Sequence, residues 1–295
     1  MLRYPVHVPV FSCRNEDHPP DLVGALARQG IQAAFISDPA SCSDDTIMRS
    51  LLDHRLVLLD QHCCRQAAIS AVGLESVIGA ADPQTAVGLL AGRLDQIHDQ
   101  TPVNGAVLIG GKSSRMGRPK HLFSDESGQS WLERLLHRFE PFVSGLFVSG
   151  AGSLPASISA RGDIERIDDL RAIQGPLAGV GALLAHAPYH SWLVCACDMP
   201  DISADAIRWL LDQRRPGCAA LIPENPDTGR IEPLFAWYDY RSRPLVADMI
   251  AGGNAKIGDL CRHRSICRPQ IPASLVSGWR NINYADELEG GPGRP

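Results

Sequence analysis

The apolar run Ala106-Val107-Leu108-Ile109 passes directly into Gly110-Gly111-Lys112-Ser113-Ser114-Arg115-Met116-Gly117-Arg118-Pro119-Lys120. This describes a strand that ends in a glycine turn, followed by a loop of hydroxyls, arginines and lysines. Glycines let backbone N–H groups approach an anion without a Cβ in the way, and Arg115 and Lys120 add mobile positive charge. A loop of that composition suits a polyphosphate. The competing reading is a surface turn with solvated basic residues. The stretch matches neither the G-x-x-x-x-G-K-[ST] spacing of a P-loop nor the G-x-G-x-x-G of a dinucleotide fold.

Beyond the loop the pattern alternates. Strands are predicted over 106–109, 146–149, 165–167, 192–196, 219–222 and 234–238, and helices over 130–139, 179–187, 204–213 and 244–251. Such alternation argues an α/β, Rossmann-like domain with a mostly parallel sheet covered by helices on both faces. Ligands of such sheets sit beyond the carboxyl ends of the strands. Both the loop at Gly110 and a turn at Asp198 fall there.

At 295 residues the chain has room for two domains. Polarity rises and a proline interrupts a helical pattern near His98-Asp99-Gln100-Thr101-Pro102, which places the boundary there. The expected division is a small α/β domain over 1–101, the loop-bearing domain over 102–290 and a flexible tail over 291–295. In the first, strands are expected over 6–11, 31–37 and 56–60, a helix over 21–29, and another ending near Leu51-Leu52. A last helix over 83–97 carries Ala86, Leu89, Leu90, Leu94 and Ile97 at helical spacing.

A net charge of −5 gives no general affinity for nucleic acid or anionic membrane, so any phosphate site must be local. No apolar run reaches the roughly 20 residues of a membrane span, and the first residues lack a signal peptide's apolar core. Cytoplasmic residence is the expectation. The nine cysteines are scattered without a C-x-x-C pair and read as small hydrophobes or spare thiols. Cys261, His263 and Cys267 lie close in sequence but supply only three ligands where structural zinc takes four.

Trp192-Leu193-Val194-Cys195-Ala196-Cys197-Asp198-Met199-Pro200 is a buried strand that delivers a carboxylate to its carboxyl end. Mg²⁺ is commonly held by one or two carboxylates together with substrate phosphates. A helix N-cap is the alternative role for Asp198, but Ser203 stands at the better capping position. Gly175-Pro176-Leu177-Ala178-Gly179 could let a flat ring lie against backbone, or serve only to pack a helix.

Together these segments resemble the molybdenum cofactor guanylyltransferases, within the wider class of nucleotidyltransferases whose first strand ends in a loop of the form L-x-G-G-x-S-x-R-M-G-x-x-K. Further matches are Asp169, Gly175 to Gly179, Cys197-Asp198-Met199-Pro200 and Asn281-Ile282-Asn283, in family order from about Val103 to Glu289. The resemblance implies transfer of GMP from GTP to the phosphate of molybdopterin, with release of pyrophosphate. It implies nucleotide contacts at Leu108, Ile109, Gly110, Gly111, Lys120, Asp169 and Asp198, charge neutralisation by Arg115 and Lys120, and Mg²⁺ on Asp198 with Asn283. Gly179, Asn281 and Asn283 are the implied acceptor-binding residues. Here Pro119 stands where the family often has aspartate, Ile109 replaces alanine, and Ser149 replaces an asparagine that contacts nucleotide in some members. Gly110-Gly111 resembles the guanine branch, whereas Pro119 is shared with cytidylyltransferases, so CTP, or another small phosphate acceptor, is the alternative within the same chemistry. A non-catalytic scaffold for cofactor insertion is the alternative of another class.

The order of residues 1–101 resembles the nucleotide-binding partner protein of molybdenum cofactor biosynthesis, which some organisms fuse to the guanylyltransferase. The place of that family's P-loop holds Ser12-Cys13-Arg14-Asn15-Glu16-Asp17-His18-Pro19-Pro20, without glycine or Lys-Ser/Thr. No nucleotide is expected there. An unrelated interaction module fits as well, and either could dock a molybdoenzyme or its chaperone. The polar loop Pro223-Glu224-Asn225-Pro226-Asp227-Thr228-Gly229-Arg230, which precedes Glu232-Pro233-Leu234-Phe235, is expected either to line a pterin pocket or to be a surface hairpin entering a core strand. Arg262, Arg264 and Arg268 are expected either on the acceptor phosphate or in solvent.

Overall fold

A computed structural model describes residues 7–11, 20–28, 32–36, 56–60, 76–80, 83–110, 119–124 and 128–282. The chain divides into two units, residues 1–101 with 215–218, and residues 102–214 with 219–295.

The first unit contains β1 (His7–Phe11), α1 (Pro20–Arg28), β2 (Gln32–Ile36), β3 (Leu56–Asp60), β4 (Ser76–Ala80) and α2 (Pro83–Gln100). Its four strands form a sheet in the order β2-β1-β3-β4, parallel throughout. Strand β4 was not expected, because Ser76-Val77-Ile78-Gly79-Ala80 is short and broken by glycine. On helix α2 one member of the expected stripe departs from it: Leu89 is 53% exposed, whereas Val87, Ala91 and His98 are buried. Two residues along a helix is a turn of about 200°, so burying Val87 sends Leu89 outward. Residues 12–19, at the position of a P-loop, and the helix expected near Leu51-Leu52 lie outside the described residues.

The second unit holds β5 (Val103–Leu108), a 3-10 turn at Lys120–Leu122, α3 (Trp131–Phe139), β6 (Leu146–Ser149), α4 (Ala156–Ser159), β7 (Ile164–Ile167) and α5 (Pro176–His186). β8 (Ser191–Ala196), α6 (Ala204–Asp212), β9 (Ala220–Leu221), β10 (Phe235–Tyr238), α7 (Arg243–Ala251) and β11 (Ile266–Cys267) follow. The sheet runs β11-β9-β10-β8-β5-β6-β7. It is the expected mostly parallel α/β sheet, with β10 antiparallel to both β8 and β9. Every residue of β8 is buried, consistent with its central place and apolar sequence. Trp192 and Val194 of β8 pack with Ala106 of β5, Tyr238 of β10 and Leu183 of α5 in one core.

Local sequence sets the helix starts. Ser130 and Glu133 form a capping box on α3, and Ser203 Oγ accepts from the Ala206 N–H on α6. Helix α5 begins at Pro176, three residues before the expected start, since proline suits the first helical position and needs no N–H partner there. At the far end of β10, Arg241 and Asp239 form a buried, two-pronged ion pair at 2.5 and 3.0 Å.

Cys195, Cys197 and Cys261 are thiols, while Cys218 and Cys267 are disulfide-bonded, which corrects the reading of every cysteine as a thiol. No pairing could be read from an odd, scattered set. Among the described residues no helix is long and apolar enough to cross a membrane.

Candidate active site

The chain order reverses direction across the sheet at β5: β6 and β7 lie on one side and β8 on the other. At such a switch point the loops leaving neighbouring strands diverge and open a crevice beyond the carboxyl ends. A cleft of about 350 Å³ occupies this position. Leu108, Ile109 and Gly110 form its floor as β5 ends, and Ala196, Cys197 and Asp198 line it as β8 ends. Because β10 is antiparallel, it is the residue before its start, Leu234, that reaches the same cleft.

The ladder continues past the strands and fixes these ends. Cys197 N–H donates to Leu108 O at 3.0 Å, Ile109 N–H to Ser149 O at 2.8 Å, and Ala196 N–H to Leu234 O at 2.7 Å. Gly110 adopts φ 131°, a conformation that turns the chain out of β5 and that an L side chain resists. Gly150, just after β6, is more constrained: a Cβ there would stand 1.8 Å from the Ile109 carbonyl oxygen. Gly150 was not singled out from the sequence, although a glycine directly after an apolar run is a signal of this kind.

Two carboxylates face the cleft from different walls. Asp198 lies partly buried and accepts from Lys120 Nζ at 2.9 Å, so the loop's terminal lysine closes onto the β8 turn. The Asp198 backbone is held in turn, its carbonyl accepting from Ile282 N–H at 2.8 Å. Asp169 stands on the loop after β7, and its Oδ1 accepts from Ser149 Oγ at 2.9 Å. Gly179 makes room for this pair, since a Cβ would come within 3.2 Å of both oxygens and 3.0 Å from Leu108 Cδ2. Gly175 and Pro176 complete that wall.

Burial, followed by the nearby Asp198 charge, raises the Cys197 thiol to about 12, and burial likewise raises the Cys195 thiol well above its ordinary value. Both shifts favour the neutral thiol over the nucleophilic thiolate. Among the described residues no three His, Cys, Asp or Glu side chains converge as a metal cage. The Asp198 carboxylate is a hard-oxygen donor at the cleft, a donor that would fit Mg²⁺ shared with substrate phosphates and would not make a closed structural metal site.

The tertiary structure thus brings together Leu108, Ile109, Gly110, Lys120, Asp169, Gly179 and Asp198. Gly111, Arg115 and Asn283 lie outside the described residues. Asn281 does not line the cleft; its Oδ1 is buried without a hydrogen-bond partner among the described residues. The polar loop at 223–230 does not line the cleft, and Glu224 pairs antiparallel with Ile231 as in the expected hairpin; Leu234 beyond it does reach the cleft, whereas Glu232 is buried, its carboxyl raised by burial against the pull of Arg230. Arg262 pairs with Asp259 at 3.2 Å and Arg268 with Glu224 at 3.9 Å, and neither lines the cleft. Arg264 is likewise absent from the lining.

Known proteins are similar to this chain in sequence and fold. A probable molybdenum cofactor guanylyltransferase of Clostridium perfringens is 26% identical over 193 residues, spanning 63% of this chain and 94% of the relative. A molybdenum cofactor guanylyltransferase of Yersinia pseudotuberculosis is 30% identical over 160 residues, 54% of this chain and 79% of its own. The crystal structure of molybdopterin-guanine dinucleotide biosynthesis protein A from Archaeoglobus fulgidus superposes with a TM-score of 0.53 at 27% identity, covering 63% of this chain and 95% of that one. Residues 105–266, from the strand beneath the glycine loop to the sheet's last strand, match the model of the MobA-like NTP transferase domain. The chain belongs to that family and is a nucleotidyltransferase.

Proposed function

We propose that the chain transfers GMP from GTP to the phosphate of molybdopterin, forming the guanine dinucleotide cofactor and releasing pyrophosphate. The supporting observation is the Lys120–Asp198 pair at the switch-point cleft, faced by Asp169. The relatives' names, molybdenum cofactor guanylyltransferase, support a guanylyl group as what is transferred and a molybdenum cofactor as its acceptor.

An oxygen of the acceptor phosphate attacks the α-phosphorus of GTP, and the bond to the β-phosphate oxygen breaks. The acceptor is already an anion, so the reaction needs position and charge more than a base. Backbone N–H groups at Gly110 and Gly111 receive the phosphates. Arg115 and Lys120 neutralise the departing pyrophosphate. Asp169, with Oδ1 held by Ser149, keeps its second oxygen for N–H or O–H donors of the base or ribose. Asp198 with Asn283 would hold Mg²⁺, which when bound would supply charge stabilisation at the phosphate oxygens. Gly179 and Asn283 would contact the acceptor. Residues 1–101 form a separate module, without a P-loop nucleotide site, that docks a molybdoenzyme or its chaperone, and the protein works in the cytoplasm.

The test is to supply molybdopterin and Mg²⁺ with each of the four nucleoside triphosphates, and to measure pyrophosphate and the dinucleotide. Turnover with GTP alone is expected. Turnover only with CTP overturns the base assignment, and none with any of the four favours a scaffold.

A further inference from the structure

His121 follows Lys120 in the short 3-10 turn and is 2% exposed. A histidine buried directly beside a cleft lysine, with its ring turned away from the cleft, needs a partner. Its Nε2–H donates to the Ser153 carbonyl at 2.8 Å, in the loop that leaves β6. The ring lies under Gly152, where a Cβ would come within 3.2 Å of Cε1. That loop is itself tied down: Arg166 of β7 donates to Gly150 O at 2.8 and 3.2 Å and to Gly152 O at 2.9 Å.

The turn has a second anchor at its other end. Phe123 packs on Trp131 and Ile282, and Ile282 N–H holds the Asp198 carbonyl. Phe123 therefore ties the turn toward β8, and His121 ties it toward β6. Between these anchors the Lys120 ammonium meets Asp198.

We infer that His121 is a positioning residue for Lys120, clamping the lysine turn to the loop after β6 so that the ammonium stands over the phosphate path. The link to turnover rests on the proposed role of Lys120; the link to the Lys120 ammonium does not. Reactions that depend on placement lose on the order of 100-fold for a shift of about 1 Å.

The chain has only three lysines, Lys112, Lys120 and Lys256, so their ammonium resonances can be assigned in full-length protein, with Lys120→Arg identifying the middle one. His121→Leu removes the donor, and His121→Gln keeps one. In folded His121→Leu the Lys120 ammonium signal should move toward that of a solvated lysine. Its kcat should fall about 10-fold to 100-fold while KM for the nucleotide stays within about twofold. His121→Gln should retain the signal and recover most of the kcat. A merely structural histidine would lower thermal stability and leave both the signal and the kcat-to-KM split unchanged, and that result overturns the inference. If His121→Leu does not fold, His121→Phe makes the same comparison against His121→Gln. Should the wild type turn over no nucleotide, the proposed function fails, and the ammonium signal alone still decides the clamp.

Discussion

Lys120 Nζ lies 2.9 Å from Asp198 Oδ2, joining the end of the glycine-rich loop to the carboxyl end of β8. Each group neutralises the other while the cleft holds no ligand. The lysine therefore competes for the oxygen that a cation would use, and a nucleotide that draws Lys120 to its phosphates uncovers it.

Mg²⁺ should accordingly bind the nucleotide-free protein weakly and the nucleotide complex better. Lys120→Met should tighten Mg²⁺ binding to the nucleotide-free protein about fivefold, as expected for a partly exposed pair worth about 1 kcal/mol. The same change should lower turnover about 100-fold or more through loss of transition-state charge stabilisation. Calorimetric titration with Mg²⁺ checks the first, and unchanged or weaker affinity in Lys120→Met would refute the competition. Asp198→Ala should remove both Mg²⁺ binding and turnover; retained activity would sink its metal role.

Gly150→Ala should destabilise the fold by about 3 kcal/mol or more, combining overpacking with a strained positive φ. Its Cβ would meet the Ile109 carbonyl at 1.8 Å, and φ is 113°. Neither neighbour can yield, because Ile109 N–H is bonded to Ser149 O in the same place. A urea midpoint equal to that of the wild type would contradict this contact.

Cys197 gives a pH signature. Its folded value of about 12 lies above its ordinary value of 9.0, so the folded state holds the proton more tightly. Its contribution to stability is full below about pH 9 and is lost as pH rises toward 12. At pH 8 the buried thiol should resist iodoacetamide in folded protein and react once the chain is unfolded. Mass spectrometry finding rapid alkylation of Cys197 in the folded state would show that the thiol is activated.

Asp239→Asn should cost about 3–5 kcal/mol, because it removes one charge of a buried, two-pronged ion pair. Asp239 follows the end of β10 opposite Leu234, so the remaining folded enzyme should keep its KM for nucleotide. Urea unfolding paired with steady-state kinetics separates the two effects. A large rise in KM with unchanged stability would reverse the assignment.

The parts of the site that were legible in the sequence are local. The apolar runs of β5 and β8, the glycines that end β5, the Ser203 cap of α6 and the carboxylate after β8 all depend on neighbours a few residues away. Strand β11, two residues long, carries too little pattern to be read, and the outward turn of Leu89 depends on what α2 packs against. The family motif pointed to Lys120, Asp169 and Asp198 individually but could not say what each touches.

By itself the sequence determined an α/β chain with a phosphate-suited loop at the end of a buried strand, because strand, turn and cap preferences act over short range. Only the tertiary structure decided that Lys120 meets Asp198 across 78 residues, that Ser149 holds Asp169, that Gly150 must lack a side chain and that His121 faces Ser153. Those contacts exist because the parallel sheet brings the carboxyl ends of β5, β6, β7 and β8 side by side, a juxtaposition set by packing and strand order and carried by no single stretch of residues.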